Sequence, residues 1–480
     1  MAEPNKAPVA PPATLVIFGA MGDLAKRLLM PAIVNLVRWK LLDPKTQILG
    51  VSYHDVDDEG LRASLDDFVE GDAAWRKIRK QIHYFKGDFN EDVTYSALAG
   101  KLDGNVIFYL ATAASFFGSV SQKLGAAGML KEEGGFRRLV IEKPFGSDLA
   151  SAQALNAVLL QQAQESQIYR IDHFLGKETV QNIMVARFGN ALMEAVWNNR
   201  YVDHIEITAA EQVTVGSRGK FYDATGALRD MVPNHLFQLL AMTAMEPPTS
   251  FGAEAIRSEK AKVIDAIAPI DPANAVRGQN VAGKIAGEKV PAFVKTPDVS
   301  PKSRTETYVA MKLYVETWRW AGVPFYLRTG KALSHRDTEI VVHFKSAPLH
   351  TFRGTEVTSL PCNRLVLQIQ PNEGISLDLA AKVPGPLVDV VPVSMNFAYA
   401  DVFKMGHRTG YETLLYDVLT GDQTLFQRAD QIEGGWRAIQ PLLDAWAKKG
   451  KPEEYKPGSA GPAGADALLA RDGRAWHTLA

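Results

Sequence analysis

The run Thr14-Leu15-Val16-Ile17-Phe18 is apolar at almost every position and ends on Gly19-Ala20-Met21-Gly22-Asp23-Leu24-Ala25. A helical pattern follows from Asp23 to about Leu42. A strand with no polar face must be covered on both sides, which parallel sheets achieve by packing helices on each face. The pattern repeats. QILGVSY, NVIFYLAT and RRLVIEKP read as further buried strands, and the helical LASAQALNAVLLQQAQ leads into IYRIDHF. Strands alternating with helices predict a doubly covered parallel sheet. In the turn after the first strand, Gly19 permits a tight bend and Gly22 a close backbone approach to a pyrophosphate. Ala25 is small enough for helix–strand contact, and the helix start offers N–H groups to the anion. The G-x-x-G-x-x-A spacing departs from G-x-G-x-x-G. On the turn alone, an ordinary strand–helix connection explains it equally well.

The texture changes after about residue 180. YVDHIEITAAEQV, TETYVAMKLYVETW, TEIVVHFK and NRLVLQIQPN are longer and alternate, as strands of an antiparallel sheet do. LRDMVPNHLFQLLAMTAM reads as helix with Pro233 as a kink. At 480 residues the chain exceeds one core. The expected fold is an α/β Rossmann-like coenzyme domain over residues 13–178 and a larger α+β domain with a mostly antiparallel sheet over 179–480. Residues 1–12, Pro- and Ala-rich, read as a disordered tail. Residues 270–303 and 455–465 read as loops.

Composition excludes several classes. The formal net charge is -1, so no global field recruits nucleic acid or an anionic membrane. The one cysteine, Cys362, precludes an intrachain disulfide or a multi-cysteine metal site and reads as a buried, inert thiol. The ten histidines form no H-E-x-x-H pair, and no metal is expected. No run approaches the ~18 apolar residues of a membrane span, and no signal peptide is visible. A cytoplasmic protein is the default.

Coenzyme choice is set after the second strand, at Val51-Ser52-Tyr53-His54-Asp55. A 2′-phosphate calls for Arg or Lys there, whereas Asp55 suits a ribose diol, so this segment fits NAD better. The segment Arg170–Glu178, RIDHFLGKE, places three unlike ionisable groups together. Strand alternation to Phe174 would set Asp172 and His173 on opposite sides. Lys177 at a helix start, with His173, reads as a phosphate cradle. Asp172 is then left to orient a base. His235 is the candidate, since Asp230, five positions earlier, sits ~140° around an α-helix from it. A carboxylate on one imidazole nitrogen fixes the tautomer and raises the basicity of the other.

These segments resemble the glucose-6-phosphate dehydrogenase family over nearly the whole chain. GAMGDLAKRLLMPAI, VIEKPFGSDL, RIDHFLGKE, LRDMVPNHLFQLL, WRWAGVPFYLRTGKAL and LLYDVLTGDQTLF follow the family's order. The resemblance implies oxidation of D-glucose 6-phosphate to 6-phospho-D-glucono-1,5-lactone with hydride transfer to NADP or NAD, the first step of the oxidative pentose phosphate pathway. It implies His235 as general base and Asp172 as its partner. His173 and Lys177 would hold phosphate, and Glu211, Asp230 and Lys331 the sugar. Lys143 would bridge sugar and coenzyme. Gly19, Met21, Gly22, Asp23, Leu24, Tyr53 and Ala111 would line the coenzyme. A homodimer or homotetramer is implied. Four positions depart from the family pattern: Tyr53 replaces the arginine for the 2′-phosphate, Met21 a Ser or Thr, Ala114 a proline, and Phe174 a tyrosine. The first two predict dual coenzyme use or NAD preference. Competing readings are a dehydrogenase of a related sugar phosphate and a non-catalytic nucleotide-binding regulator on the same scaffold.

Overall fold

The computed structural model describes residues 7–403, 409–448 and 450–479. The chain divides into two compact units. The first comprises Met1–Glu178, Pro248–Ser258 and Met405–Glu433; the second, Thr179–Pro247, Glu259–Lys404 and Gly434–Ala480.

In the first unit, β1 (Thr14–Phe18), β2 (Gln47–Ser52), β3 (Ile82–Lys86), β4 (Val106–Leu110), β5 (Arg137–Ile141) and β6 (Ile168–Arg170) form one sheet. All neighbours are parallel, in the order β3-β2-β1-β4-β5-β6. Every residue of β4 is buried, as is all of β1 after Thr14. This is the Rossmann-like sheet that the apolar runs predict. Its order reverses between β1 and β4, the place where such sheets open a crevice at their carboxyl ends. The helix after β1 differs from expectation. A π turn, Ala25–Leu29, precedes the α-helix Met30–Arg38. Pro31 has no N–H to donate back to Arg27, which accounts for the wider turn. The expected tail over 1–12 lies outside the described residues for 1–6. Beyond them it is held: the Ala10 N–H donates to Leu41 O, Tyr416 Oη to Pro8 O and Asn105 Nδ2 to Pro12 O.

In the second unit, β7 (Val202–Ala210), β8 (Ala275–Asn280), β11 (Tyr308–Tyr314), β12 (Pro324–Gly330), β13 (Asp337–Phe344), β14 (Arg364–Gln370), β15 (Gly374–Lys382), β16 (Val390–Ala398) and β17 (Glu453–Tyr455) build a nine-stranded sheet. Its order is β16-β15-β14-β13-β7-β12-β11-β8-β17. Only the β7/β12 and β8/β17 pairings are parallel, so the sheet is mixed and mostly antiparallel.

Residues 270–303 are not simply loop. They contain β8 and the hairpin β9 (Gly283–Ile285) and β10 (Glu288–Val290). The hairpin closes through Ala286 and Gly287 at φ 48° and 89°, the left-handed pair a two-residue connection needs. Such short, polar strands carry too little apolar signal to stand out. The expected loop at 455–465 likewise takes in the end of β17 and the start of the helix Ala463–Ala470. Cys362 is exposed rather than buried. It precedes β14, where the chain has not yet entered the sheet. No helix among the described residues is long and apolar enough to cross a membrane.

Candidate active site

The glycine turn is built by close approach. Gly19 stands at φ +87°, and a Cβ there would lie 2.5 Å from Ala111 O at the end of β4. A side chain is excluded on both counts. The Gly22 N–H donates to Gly19 O at 2.9 Å and closes the turn. Met21 points its sulfur toward Ser64 Oγ, 3.6 Å away on the helix Asp58–Asp66. Asp23 faces Arg27 at 3.5 Å on the exposed surface, and Leu24 caps the π turn. Gly19 and Ala111 are thus brought together. The close approach ties the turn after β1 to the end of β4, at the carboxyl ends of the two strands where the sheet order reverses.

At the end of β2, Tyr53 is exposed and stacks on His54, ring centroids 4.2 Å apart. His54 is fixed by Ser52 Oγ, 2.7 Å from Nδ1. The Tyr84 hydroxyl lies 2.6 Å from His54 O and 2.9 Å from Ser52 O, pinning the same loop from β3. Asp55 is paired with Lys86 at 2.8 Å. This pairing holds the Asp55 carboxyl below its usual range and the Lys86 ammonium above its own. Lys86 is a cation the sequence reading missed. It sits 33 residues from Tyr53, and only the register, Ser52 opposite Lys86, shows them to be neighbours.

β6 ends at Arg170, so alternation does not govern Asp172 and His173. The expected placement on opposite strand faces therefore does not hold, since both residues lie beyond the strand. Asp172 Oδ1 accepts from the Phe174 N–H at 3.0 Å and starts a turn in place of a ladder. The turn runs through Leu175 N to Asp172 O and Lys177 N to Phe174 O, and the helix Glu178–Phe188 follows. Asp172 is buried; His173 and Lys177 are half-buried. Lys177 Nζ lies over the Phe174 ring, 5.1 Å from its centroid. Gly176 is required here, since a Cβ would meet Gly410 O at 2.0 Å.

Lys143 follows Glu142 at the end of β5. Glu142 is buried and accepts from the Tyr109 hydroxyl at 2.6 Å. Burial pushes its carboxyl up to about 7, against the opposing pull of hydrogen bonds from Tyr109 and Tyr411 and of the Lys143 charge. The Ile171 N–H donates to Ile141 O at 2.9 Å, which sets the carboxyls of Glu142 and Asp172 beyond the ends of adjacent strands. Glu142 was also missed. Its signal was a charged residue closing an otherwise apolar run.

In the second unit, Lys331 Nζ is 2.6 Å from Glu211 Oε2 and 5.4 Å from the Tyr222 ring centroid. The Tyr222 phenol is pushed well up by burial and by the charges of Asp230 and Glu211. Glu211, Asp230 and Lys331 therefore gather around one buried ring. His235, 1% exposed, lies on a π turn, Val232–Leu236, between the helices Gly219–Met231 and Phe237–Ala244. The expected kink at Pro233 takes this form. The angle reckoned from Asp230 to His235 does not apply across it, because a π turn spreads more residues per revolution.

Comparison with known proteins agrees along the whole chain. Residues 16–182 match the model for "Glucose-6-phosphate dehydrogenase, NAD binding domain" and residues 184–477 that for "Glucose-6-phosphate dehydrogenase, C-terminal domain". The glucose-6-phosphate 1-dehydrogenase of Mycolicibacterium smegmatis is 43% identical, with 97% of each chain covered. That of Aggregatibacter actinomycetemcomitans is 42% identical over 96% of this chain and 97% of its own. A solved glucose-6-phosphate dehydrogenase in complex with its substrate glucose-6-phosphate superimposes with a TM-score of 0.90 at 32% identity, covering 98% of this chain and 100% of that one.

Proposed function

The chain belongs to the glucose-6-phosphate dehydrogenase family, and we propose that in it His235 takes the proton from the anomeric hydroxyl of the sugar. The reaction is oxidation of D-glucose 6-phosphate to 6-phospho-D-glucono-1,5-lactone, with NAD(P)+ as hydride acceptor, the first step of the oxidative pentose phosphate pathway.

Asp172 is assigned as the carboxylate partner of His235, to fix its tautomer and steady the imidazolium that forms. Burial of His235 supports this role, since a charge arising there needs a carboxylate close by. His173 and Lys177 hold the phosphate and supply binding energy remote from C1, so that much of the rate comes from positioning. Glu211, Asp230 and Lys331 read the sugar hydroxyls, and their gathering around Tyr222 supports that assignment. Lys143 bridges sugar and coenzyme. Gly19, Met21, Gly22, Asp23, Leu24, Tyr53 and Ala111 line the coenzyme. We propose that NADP and NAD are both used.

A homodimer or homotetramer is proposed with this function. β16 is an edge strand, and Val391, Val393 and Met395 along it are exposed. Natural proteins rarely leave such an edge uncovered. A cytoplasmic location is proposed because a charged sugar phosphate and a dinucleotide do not cross membranes unaided.

The observation that carries the reading is a match of 42–43% identity over 96–97% of the chain; the presence of His235, Asp172 and Lys177 in the sequence supports the roles assigned to them. The purified protein, given glucose 6-phosphate and either coenzyme, is expected to generate NAD(P)H absorbance. A panel including mannose, galactose and fructose phosphates tests the reading as a related sugar-phosphate dehydrogenase. Coenzyme binding without turnover of any of them would return the chain to the regulator class.

A further inference from the structure

We propose that Lys86, at the end of β3, is the residue that receives the 2′-phosphate of NADP, with Asp55 as its resting partner. Together they let one site take either dinucleotide. The inference rests on the proposed coenzyme use and concerns residues to which the family resemblance gives no role.

In a sheet of this order, the adenosine ribose lies off the carboxyl end of β2, and the residue there decides between a 2′-hydroxyl and a 2′-phosphate. That residue is Tyr53, which carries no charge. The adjacent strand supplies one. Ser52 and Lys86 are paired in register, so the lysine stands opposite the residue before Tyr53, and Tyr53 and Lys86 border one cleft. Its Nζ already holds a carboxylate of the β2 loop, Asp55 Oδ1, at 2.8 Å. The group therefore reaches the segment that would face the ribose. Arg27, just past the glycine turn, is turned to Asp23 and over the Phe68 ring.

The Lys86–Asp55 pair is a weak clamp by construction. The two side chains are 57% and 92% exposed, and ion pairs so placed contribute little. A phosphate carries up to twice the charge of a carboxylate and three acceptor oxygens. It can therefore take the ammonium from Asp55 at small cost. With NAD there is no such competitor. Lys86 stays on Asp55, whose second oxygen accepts from the 2′-hydroxyl.

The surroundings fit a purine nucleotide. The Tyr53 and His54 rings are stacked, and the loop beneath them is held by Ser52 Oγ and the Tyr84 hydroxyl. This makes a rigid aromatic face for a base. Beside it is a cleft of about 440 Å³ bordered by Tyr53, Phe85, Lys86, Asp88, Val93 and Ala97. Asp88 and Glu91 also face this cleft. They would repel a phosphate, which confines it to the Lys86 end.

The test uses full-length protein and two coenzyme fragments, 2′,5′-ADP and 5′-AMP, measured by calorimetry. The parent is expected to bind 2′,5′-ADP more tightly than 5′-AMP. Lys86→Ala should weaken 2′,5′-ADP by ~10-fold or more, the loss of a charge-assisted hydrogen bond, and change 5′-AMP by no more than about twofold. Lys86→Arg should restore the preference, and Asp55→Asn should strengthen 2′,5′-ADP. In turnover, Lys86→Ala should lower kcat/KM for NADP by a larger factor than that for NAD. Equal binding of 2′,5′-ADP by parent and Lys86→Ala would overturn the proposal, as would a parent that does not prefer it to 5′-AMP. Failure of the functional reading is separate. It would appear as absence of glucose 6-phosphate turnover with either coenzyme, while fragment binding still reports on Lys86.

Discussion

Lys331 and Glu211 face each other at 2.6 Å just beyond the paired ends of β12 and β7, where the Glu211 N–H also donates to Gly330 O at 2.9 Å. The ammonium and the carboxylate are thus presented as a preset donor–acceptor pair. If both read the sugar, Lys331→Ala should raise KM for glucose 6-phosphate by ~10–100-fold, the worth of a charged hydrogen bond of about 1.5–3 kcal/mol. Glu211→Gln alone should cost less. The double variant should show less than the sum, because each single change strands the other group. Steady-state kinetics on all three variants checks this.

His235→Asn keeps a polar side chain that can donate and accept hydrogen bonds and removes its basicity. The expected result is a fall in kcat of ~10²–10⁴-fold, with the Kd for glucose 6-phosphate, measured by calorimetry, nearly unchanged. A kcat close to that of the parent would place the base elsewhere.

Lys177→Ala should act on binding of the phosphate rather than on chemistry at C1. Loss of about 1.5–3 kcal/mol appears as a higher KM for glucose 6-phosphate. Plain glucose, which has no phosphate for the lysine to hold, should be turned over about as well as by the parent. The ratio of kcat/KM for the two sugars is the direct measurement.

Gly19→Ala meets two obstacles, a left-handed backbone and the Ala111 carbonyl oxygen 2.5 Å from the new methyl. Either the turn or the end of β4 must move. KM for both coenzymes should rise while KM for the sugar stays, and Tm should fall.

Glu142 links stability to pH. Its carboxyl is raised from 4.5 to about 7 in the folded chain. The folded chain therefore keeps a proton that the unfolded chain gives up as pH rises past 4.5. The group's favourable contribution is full below pH 4.5 and is lost as pH climbs to 7, a change of about 3 kcal/mol at ~1.36 kcal/mol per unit. Glu142→Gln cannot ionise and should be free of that loss. Its Tm relative to the parent should increase from pH 5 to pH 8. Asp417, pushed by burial to about 8, shares the sign, so the difference between variant and parent is the quantity to follow. A difference independent of pH would show that Glu142 does not titrate in this range.

The apolar strands were legible because β1, β4 and β5 are buried on both faces and leave no other reading for their sequence. Alternation in β7, β11 and β13 served equally well. The hairpin β9–β10 was not legible, since its strands are three residues each and its turn rests on the backbone of Ala286 and Gly287. Proline explains the other differences. Pro31 lies just past one π turn and Pro233 lies within another, and a residue pattern counted at 100° per position misses that widening. At the site, the motif residues announced themselves by their neighbours in sequence. Lys86 and Glu142 did not, because what makes them significant is the adjacent strand: β2 for Lys86, and for Glu142 both β4, which carries Tyr109, and β6, beyond which Asp172 lies.

β3 is the outermost strand of its sheet and bears both Tyr84 and Lys86. Positions on such a rim are solvated on one side, so exchanging them disturbs little of the interior. Coenzyme choice, if governed from this rim, becomes one of the cheapest properties of the molecule to change. Lineages could drift between the two dinucleotides by single substitutions there while the sugar-handling machinery is left untouched.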